Sequence, residues 1–214
     1  MKIDANLIAR TSLELLNDVG LEGLTMRAVA KELDIKAPAL YWHVKGKQEL
    51  LDEMAEVMFV EAVDGLESPT RGETWETWLL ETTRRLRRGM LRYRDGARVF
   101  AGTNIAHPLM FRTTELTLRT LVDAGFPPRE AARGFPVLLH YVIGFTIEEQ
   151  ARDGLTYAEQ NPYAEGGVPV TVDPSRYPLS AEFLSEVWGS DSDEIFDDGA
   201  RVIIAGLKSR MSPG

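Results

Sequence analysis

The sequence predicts an all-α protein in which three helices form a small N-terminal part and further helices form a larger C-terminal part. Apolar residues recur at helical spacing through most of the 214 residues, whereas the alternation that marks strands is almost absent. Capping and terminating residues divide this pattern into separate helices, with Asp4 before the first helix and Gly20 after it. Both observations favour an architecture of helices packed on helices.

The helices can be placed in order from their caps and their apolar spacing. The first runs from about Asp4 to Val19, and the residues expected on its core face are Leu7, Ile8, Leu15, Leu16 and Val19. Two short helices follow, one capped by Thr25 and one that begins near Lys36. Further helices are predicted over 47–66, 73–93, 107–124, 128–152 and 191–210, with a short one near 180–188.

Residues 25–47 carry the most informative pattern in the chain. Val29 gives the first short helix a buried side, and Pro38 is tolerated in the second because the first turn of a helix lacks amide partners. A Tyr-Trp-His run at 41–43, expected to be exposed, follows in the second helix. Two short helices joined by a tight turn form a helix-turn-helix, which places its second helix in a DNA major groove. The pattern therefore predicts a DNA-binding protein.

The charge distribution favours DNA binding locally and not globally. The whole chain has a formal net charge of −9, which by itself argues against a nucleic-acid partner. Residues 25–47 contain five Lys or Arg against two Asp or Glu, a net charge of +3. A basic tip on an acidic body is typical of a protein that docks by one face, although a basic solvated surface is an equal alternative on charge alone.

Three segments together resemble the tetracycline-repressor (TetR) family. Residues 11–51, which include LLNDVGLEGLT and LYWHVKGKQELL, are similar to its DNA-binding half. YRDGARVFAGT at 93–103 and HYVIGFTIEEQ at 140–150 resemble its ligand-binding half. The resemblance implies a helix-turn-helix DNA-binding domain over 1–46 and a ligand-binding and dimerisation domain over 47–214, linked by helix 47–66. It further implies a homodimeric repressor that a small-molecule effector releases from a palindromic, double-stranded DNA operator.

The resemblance also assigns DNA contacts. The predicted DNA-binding set is Thr25, Arg27, Lys36, Ala37, Pro38, Ala39, Tyr41, Trp42, His43 and Lys47. Of these, the resemblance places Tyr41 and Lys47 at phosphates, and Arg27 and the 36–39 run at base edges. The two small polar readers that flank the proline in tetracycline repressors are both Ala here, which should alter the operator that is read. By residue type alone, the aromatic pair at 41–42 could instead lie in the core, and His43 could be a capping or solvated residue.

The ligand-binding half departs further from the tetracycline repressors. Thr103 and Glu148 fit their pattern, but Phe100 stands where an imidazole is expected. By the same resemblance, Val63, Thr82 and Thr117 replace polar contacts to the drug, and Leu86 replaces an aromatic one. We therefore expect neither tetracycline nor magnesium to be a ligand of this protein. We expect instead a largely apolar pocket with a few hydrogen-bonding groups. The predicted ligand-binding set is Thr82, Leu86, Phe100, Thr103, Asn104, Ile105, Thr117, Phe135, His140 and Glu148.

Other functional classes find little support in the sequence. The chain has no Cys, which excludes disulfides and thiolate chemistry, and no apolar run approaches the roughly 20 residues that span a bilayer. We find no phosphate-binding loop or nucleophile elbow, and expect no catalysis, metal site or cofactor. His140 is interpreted as a buried, hydrogen-bonded histidine that faces a cavity, in preference to a metal ligand. A cytoplasmic location is expected, and the Gly- and Pro-rich segment 153–178 is predicted to be either a functional loop or a flexible insertion.

Dimerisation is expected through the apolar faces of helices 128–152 and 191–210. The apolar residues on these faces are Val137, Leu138, Val142, Ile143, Ile195, Val202, Ile203 and Leu207, with Gly134, Gly144, Gly199 and Gly206 among them. The alternative is that these faces pack only within one chain. Two functional alternatives are an activator or architectural DNA binder without an effector, and a protein that only sequesters a ligand.

Overall fold

A computed structural model describes residues 3–152, 172–189 and 191–211, without the side chains of 187–189. Within these ranges every regular element is a helix: α1 (Ala5–Gly23), α2 (Met26–Glu32), α3 (Ala37–Leu40), α4 (Lys47–Val63), α5 (Trp75–Leu91), α6 (Gly96–Phe100), α7 (Pro108–Asp123), α8 (Pro128–Arg152), α9 (Pro178–Gly189) and α10 (Ser192–Lys208). The all-α prediction is confirmed, and every predicted helix is present. Of the predicted loop, residues 153–171 lie outside the described ranges.

The N-terminal head, α1 to α3 with the first turns of α4, has its own hydrophobic core. Asp4 caps α1 as predicted, because its side chain accepts a hydrogen bond from the Leu7 amide. The helix leaves helical geometry at Gly20, where φ is +66°. Val19 was expected in the core but is 37% exposed, because the buried stripe of α1 continues from Leu16 to Gly20 and leaves Val19 to one side. The fully buried large residues of the head are Ile8, Leu13, Leu16, Leu24, Leu40, Leu50 and Met54.

Helix α4 joins this head to a larger helical body. Its first half, through Met58, packs in the core of the head, whereas Phe59 and Val63 belong to the core of the body. In the body, α8 packs against α5, α6, α7 and α10, and thus forms its centre. No helix in the described ranges combines the length and the apolarity needed to cross a membrane.

The faces predicted for dimerisation are only partly free. Leu138 and Val142 are fully buried within one chain, and a Cβ on Gly134 would lie 2.7 Å from the Leu207 side chain of the same chain. The intrachain alternative is therefore correct for these residues, because α8 and α10 pack on each other. Val137 and Val202 remain 52% and 71% exposed, and a Cβ at Gly144 or Gly206 would meet open space.

Candidate nucleic-acid interface and ligand site

The two short helices form the predicted helix-turn-helix. The Thr25 hydroxyl accepts a hydrogen bond from the Ala28 amide at 3.1 Å, which satisfies one of the free amides at the start of α2. After α2 the chain turns through Asp34, whose φ is +51°, and the Ile35 amide returns to the Ala30 carbonyl at 2.9 Å. Pro38 lies in the first turn of α3, as expected. The turn thus fixes α3 against α2.

The outer surface of this motif is basic and carries exposed aromatic side chains. A cleft of about 490 Å³ between α2 and α3 is lined by Arg27, Ala30, Lys31, Asp34, Ile35, Lys36 and Ala37. The run 41–43 was predicted to lie in the second helix but follows it in a turn, because α3 ends at Leu40. Tyr41 is 49% exposed and Trp42 is 89% exposed, so the core-aromatic alternative is wrong. Pro38, Ala39 and His43 are exposed as well. Such a surface can bind phosphates through its cations and reach base edges with short side chains.

Lys47 lies at the start of α4, beside the end of α1. Its ammonium nitrogen Nζ donates to the Leu21 carbonyl at 3.1 Å, and the residue is exposed. An ammonium has three donors, so this bond holds the side chain in place and leaves donors for a phosphate. The geometry is compatible with the phosphate role that the resemblance implies.

The segment 93–98, which comprises the turn after α5 and the first residues of α6, connects the body to the head. Asp95 Oδ2 accepts from the Leu21 amide at 2.9 Å, and the Arg94 amide donates to Asn17 Oδ1 at 2.9 Å. Asp95 is buried, and its φ of +56° is uncommon for a residue other than glycine. Sequence reasoning quoted this segment for its resemblance and missed α6, which has no side-chain cap to announce it. The only sequence signal for the turn was the Asp-Gly pair at 95–96.

The same segment is held from the other side by α8. Gln150 is buried; its amide nitrogen donates to the Tyr93 carbonyl at 2.8 Å, and its oxygen Oε1 accepts from the Ala97 amide at 3.0 Å. Gly96, the first residue of α6, packs directly on the backbone of α5. A Cβ at this position would lie 2.1 Å from the Met90 carbonyl oxygen, so only glycine fits. Residues 93–98 are thus bonded both to the head and to the central helix of the body.

The predicted ligand residues fall into two groups. Leu86 of α5 lies in the hydrophobic cluster that forms the core of the body, and Phe100 and Ile105 pack both against this cluster and against the core of the head. Thr82 and Thr117 are buried beside it, and each hydroxyl donates to a carbonyl of its own helix. A second group does not join the cluster within one chain, since Asn104, His140 and Glu148 are exposed and Phe135 is half-buried. The prediction of a buried His140 is therefore wrong, because its side chain lies on the outer face of α8.

The residues present do not fit the magnesium of the tetracycline repressors. Phe100 offers no ligand atom at the imidazole position, and the Thr103 hydroxyl donates to the Phe100 carbonyl at 2.7 Å. In the described part of the chain, no group of three His, Cys, Asp or Glu side chains is placed to hold a metal ion.

A buried ion pair that sequence reasoning missed ties the body together. Arg87 of α5 is 6% exposed; its Nε donates to Glu149 of α8 at 2.8 Å and its Nη1 to Asp193 of α10 at 2.6 Å. Its guanidinium also lies over the rings of Phe145 and Phe196, 5.7 and 4.9 Å from their centroids. The carboxylates raise the pKa of Arg87 despite its burial. The partners are far apart in sequence, so no local pattern could reveal them.

A basic helix-turn-helix attached to a separate helical core defines a DNA-binding regulator. Residues 8–54 match the model of bacterial regulatory proteins of the tetR family, and residues 68–211 match that of the tetracyclin repressor-like C-terminal domain. The chain is 36% identical to tetracycline repressor protein class C of Escherichia coli, over 97% of this chain and 91% of that protein.

Solved structures agree with these matches. A possible TetR family transcriptional regulator from Streptomyces coelicolor superposes with a TM-score of 0.85 at 33% identity, over 96% of this chain and 99% of that chain. The Streptomyces coelicolor protein ActR, in complex with actinorhodin, gives a TM-score of 0.81 at 28% identity, over 98% and 97%. The chain belongs to the tetR family of bacterial regulatory proteins. It is a dimeric, DNA-binding regulator of transcription that responds to a small-molecule effector.

Proposed function

We propose that this regulator is a repressor that reads a palindromic operator with residues 25–47 and leaves it when a largely apolar organic molecule binds in the body. We call residues 25–47 the reading surface. The observation that best supports its contact with DNA is the 89% exposed Trp42 beside the basic cleft of α2 and α3. The DNA-binding residues are those predicted, from Thr25 to Lys47. In a dimer, the two copies of α3 would read half-sites about 34–36 Å apart on one face of the DNA.

The effector site that we propose lies where α5, α6 and α7 meet α8. Leu86, Phe100 and Ile105 supply its apolar wall, and Thr82, Thr103 and Thr117 supply hydroxyls. We assign the half-buried Phe135 of α8 to the edge of this site. The exposed His140 and Glu148 belong to a second part of the site, which the partner subunit would complete. Actinorhodin on the similar ActR supports a ring-bearing effector.

Three further points belong to this proposal. The chain divides into a DNA-binding domain at 1–46 and a ligand-binding and dimerisation domain at 47–214, with α4 as the linking helix. It has no catalytic activity of its own, because its relatives are regulators of transcription. It acts in the cytoplasm, where its operator is accessible.

The experiment has two arms that share one preparation of the full chain. Selection from random duplex DNA should return a palindrome, and fluorescence anisotropy should then give its affinity. A library of ring compounds is scored for compounds that raise the melting temperature, because a ligand that binds the folded state stabilises it. Those compounds should release the protein from its operator. The Thr103→Trp variant, in which the indole fills the site, should bind the operator but should not be released by them. A selected sequence without two-fold symmetry, or stabilising compounds that never release DNA, would contradict the proposal.

A further inference from the structure

The interior of the body contains an unusual number of buried threonines. Six are at most 8% exposed: Thr82, Thr83, Thr113, Thr117, Thr120 and Thr146. Five of these hydroxyls donate to a carbonyl of their own helix about one turn earlier, at 2.6 to 2.9 Å. Such a bond satisfies the hydroxyl without any other element.

Thr113 is the exception. It is 6% exposed, and its Oγ1 has no hydrogen-bond partner among the described residues. A buried hydroxyl without a partner destabilises the protein, so each one requires an explanation such as a bound molecule. Among the described residues, the other buried hydroxyl without a hydrogen-bond partner is that of Ser12, which lies in the head and outside the ligand-binding half.

Thr113 shares the buried face of α7 with Thr117, a residue of the proposed effector site. Thr117 follows four residues later on the same face of α7, and its hydroxyl donates to the Thr113 carbonyl at 2.8 Å. That face of α7 packs against α8 and α5. Neighbouring α7 residues, including Leu109 and Leu116, pack on the cluster that contains Leu86.

The helix that carries Thr113 places no charged side chain in the interior beside it. The charged side chains next to it on α7 point outward, since Arg112, Glu115 and Arg119 are 45%, 65% and 68% exposed. Each is paired at the surface, with Arg112 bonded to Glu67 and Arg119 to Glu115. A ligand that meets the Thr113 hydroxyl therefore meets no counter-charge from α7.

From this geometry we infer that Thr113 is a specificity-determining residue of the effector site, and that it selects a neutral, ring-bearing molecule with a carbonyl or hydroxyl oxygen. This inference rests on the proposed function and narrows its ligand class. A neutral hydroxyl can donate to a carbonyl or accept from a phenol, whereas a bare hydrocarbon would leave it unpaired. An ion would enter a neutral, apolar interior at high free-energy cost.

The test compares two probes that share a three-ring frame: danthron, a dihydroxyanthraquinone, and anthracene, which has no oxygen. Titration of the full chain should show tighter binding of danthron. Thr113→Val should weaken danthron binding by roughly three- to tenfold, the effect of one net hydrogen bond, and leave anthracene binding unchanged. Thr113→Ser keeps the hydroxyl and should retain the affinity of the parent chain.

Thr120→Val is the matched control. Thr120 lies on the same helix and is 8% exposed, but its hydroxyl already donates to the Leu116 carbonyl at 2.9 Å. This variant should bind both probes like the parent chain. Without ligand, Thr113→Val should melt at or above the parent temperature, because a methyl group replaces an unpaired hydroxyl.

Three results would overturn the inference. The first is equal danthron affinity for Thr113→Val and the parent chain. The second is a ligand-free Thr113→Val that melts well below both the parent chain and Thr120→Val, since the hydroxyl would then be bonded internally. The third is a parent chain that binds neither probe or prefers anthracene. Release of the operator by compounds of another class would keep the proposed function intact in each case.

Discussion

At the residue scale, the reading surface is defined by the side chains that the head leaves outside its core. Leu40 and Val44 are fully buried and anchor the recognition region, whereas Trp42 between them is 89% exposed. An exposed aromatic ring does not stabilise the folded head, because the favourable free energy of an aromatic side chain comes from its burial. Contact with DNA is the use that fits its position beside the basic cleft.

The first prediction concerns Lys47. Lys47→Ala should weaken binding to all DNA sequences alike and lower the slope of log affinity against log salt by about one, because a phosphate contact positions without specifying. Fluorescence anisotropy across a salt series measures both effects. Lys208→Ala is the control, since Lys208 is equally exposed but pairs with Glu76 far from the head. An unchanged slope for Lys47→Ala would argue against a phosphate role.

The second prediction concerns Asp197 and acid. A hydrogen bond from Arg84, with Nε and Oδ1 2.8 Å apart, lowers the pKa of Asp197 below its usual value. The pair therefore stabilises the folded state above about pH 4, the ordinary pKa of an aspartate, and loses this contribution as pH falls through the lowered pKa. Asp197→Asn should lower the free energy of unfolding at pH 7 by about 1 kcal/mol or less. Urea titrations at several pH values should show this difference shrinking toward pH 3. A pH-independent difference would contradict the ion-pair explanation.

At the element scale, one buried arginine holds three helices together. Arg87 of α5 joins Glu149 of α8 and Asp193 of α10, so the ion pair is placed where the central helix meets its neighbours. Removal of one partner leaves a buried charge without compensation, whereas replacement of both by apolar side chains does not. This difference makes the role of the pair testable.

The third prediction follows from that asymmetry. Glu149→Leu alone should lower the free energy of unfolding by up to about 3–5 kcal/mol, because Arg87 remains buried with only the exposed carboxylate of Asp193 as a partner. The double variant Arg87→Met with Glu149→Leu should recover most of that loss. Chemical denaturation of all four species of the cycle measures both values. A double variant that is as unstable as the single one would show that the carboxylate acts through other contacts.

Helix boundaries were largely predictable from the sequence because caps and apolar spacing are local signals. Asp4 and Thr25 could be identified as caps, and the structure confirms both. The short α6 was missed because Asp95 precedes it with a left-handed backbone and no side-chain cap. The ion pair of Arg87 could not be predicted, since its partners are 62 and 106 residues away. The unpaired hydroxyl of Thr113 likewise results from the packing of the helices, so the sequence pattern could not predict it.

At the scale of the whole molecule, a continuous set of contacts joins the body to the reading surface. Gln150 of α8 holds the 93–98 segment, and Asp95 in that segment holds the Leu21 amide at the end of α1. Lys47, a proposed phosphate contact, bonds the carbonyl of the same Leu21. We expect a ligand that shifts α8 against α5 to move these bonds, and with them the spacing of the two recognition helices.

The fourth prediction is that tetracycline with magnesium neither binds tightly nor releases this protein from DNA. Phe100 supplies no ligand atom, and Val63, Thr82 and Thr117 replace polar contacts of the tetracycline repressors. Isothermal titration calorimetry with and without a chelator tests this directly. Affinity of about micromolar or better that is lost with the chelator would show that the site tolerates those replacements.

The most direct test of effector control is a linkage measurement on the full chain. The affinity for the selected operator is measured with and without a saturating compound from the screen, and the affinity for that compound is measured with and without operator. Because coupling between two sites is reciprocal, both affinities should fall by the same factor, roughly 5- to 150-fold for a typical coupling. Operator binding that stays unchanged while the compound binds tightly would contradict effector control, and would favour a DNA-binding protein that acts without an effector.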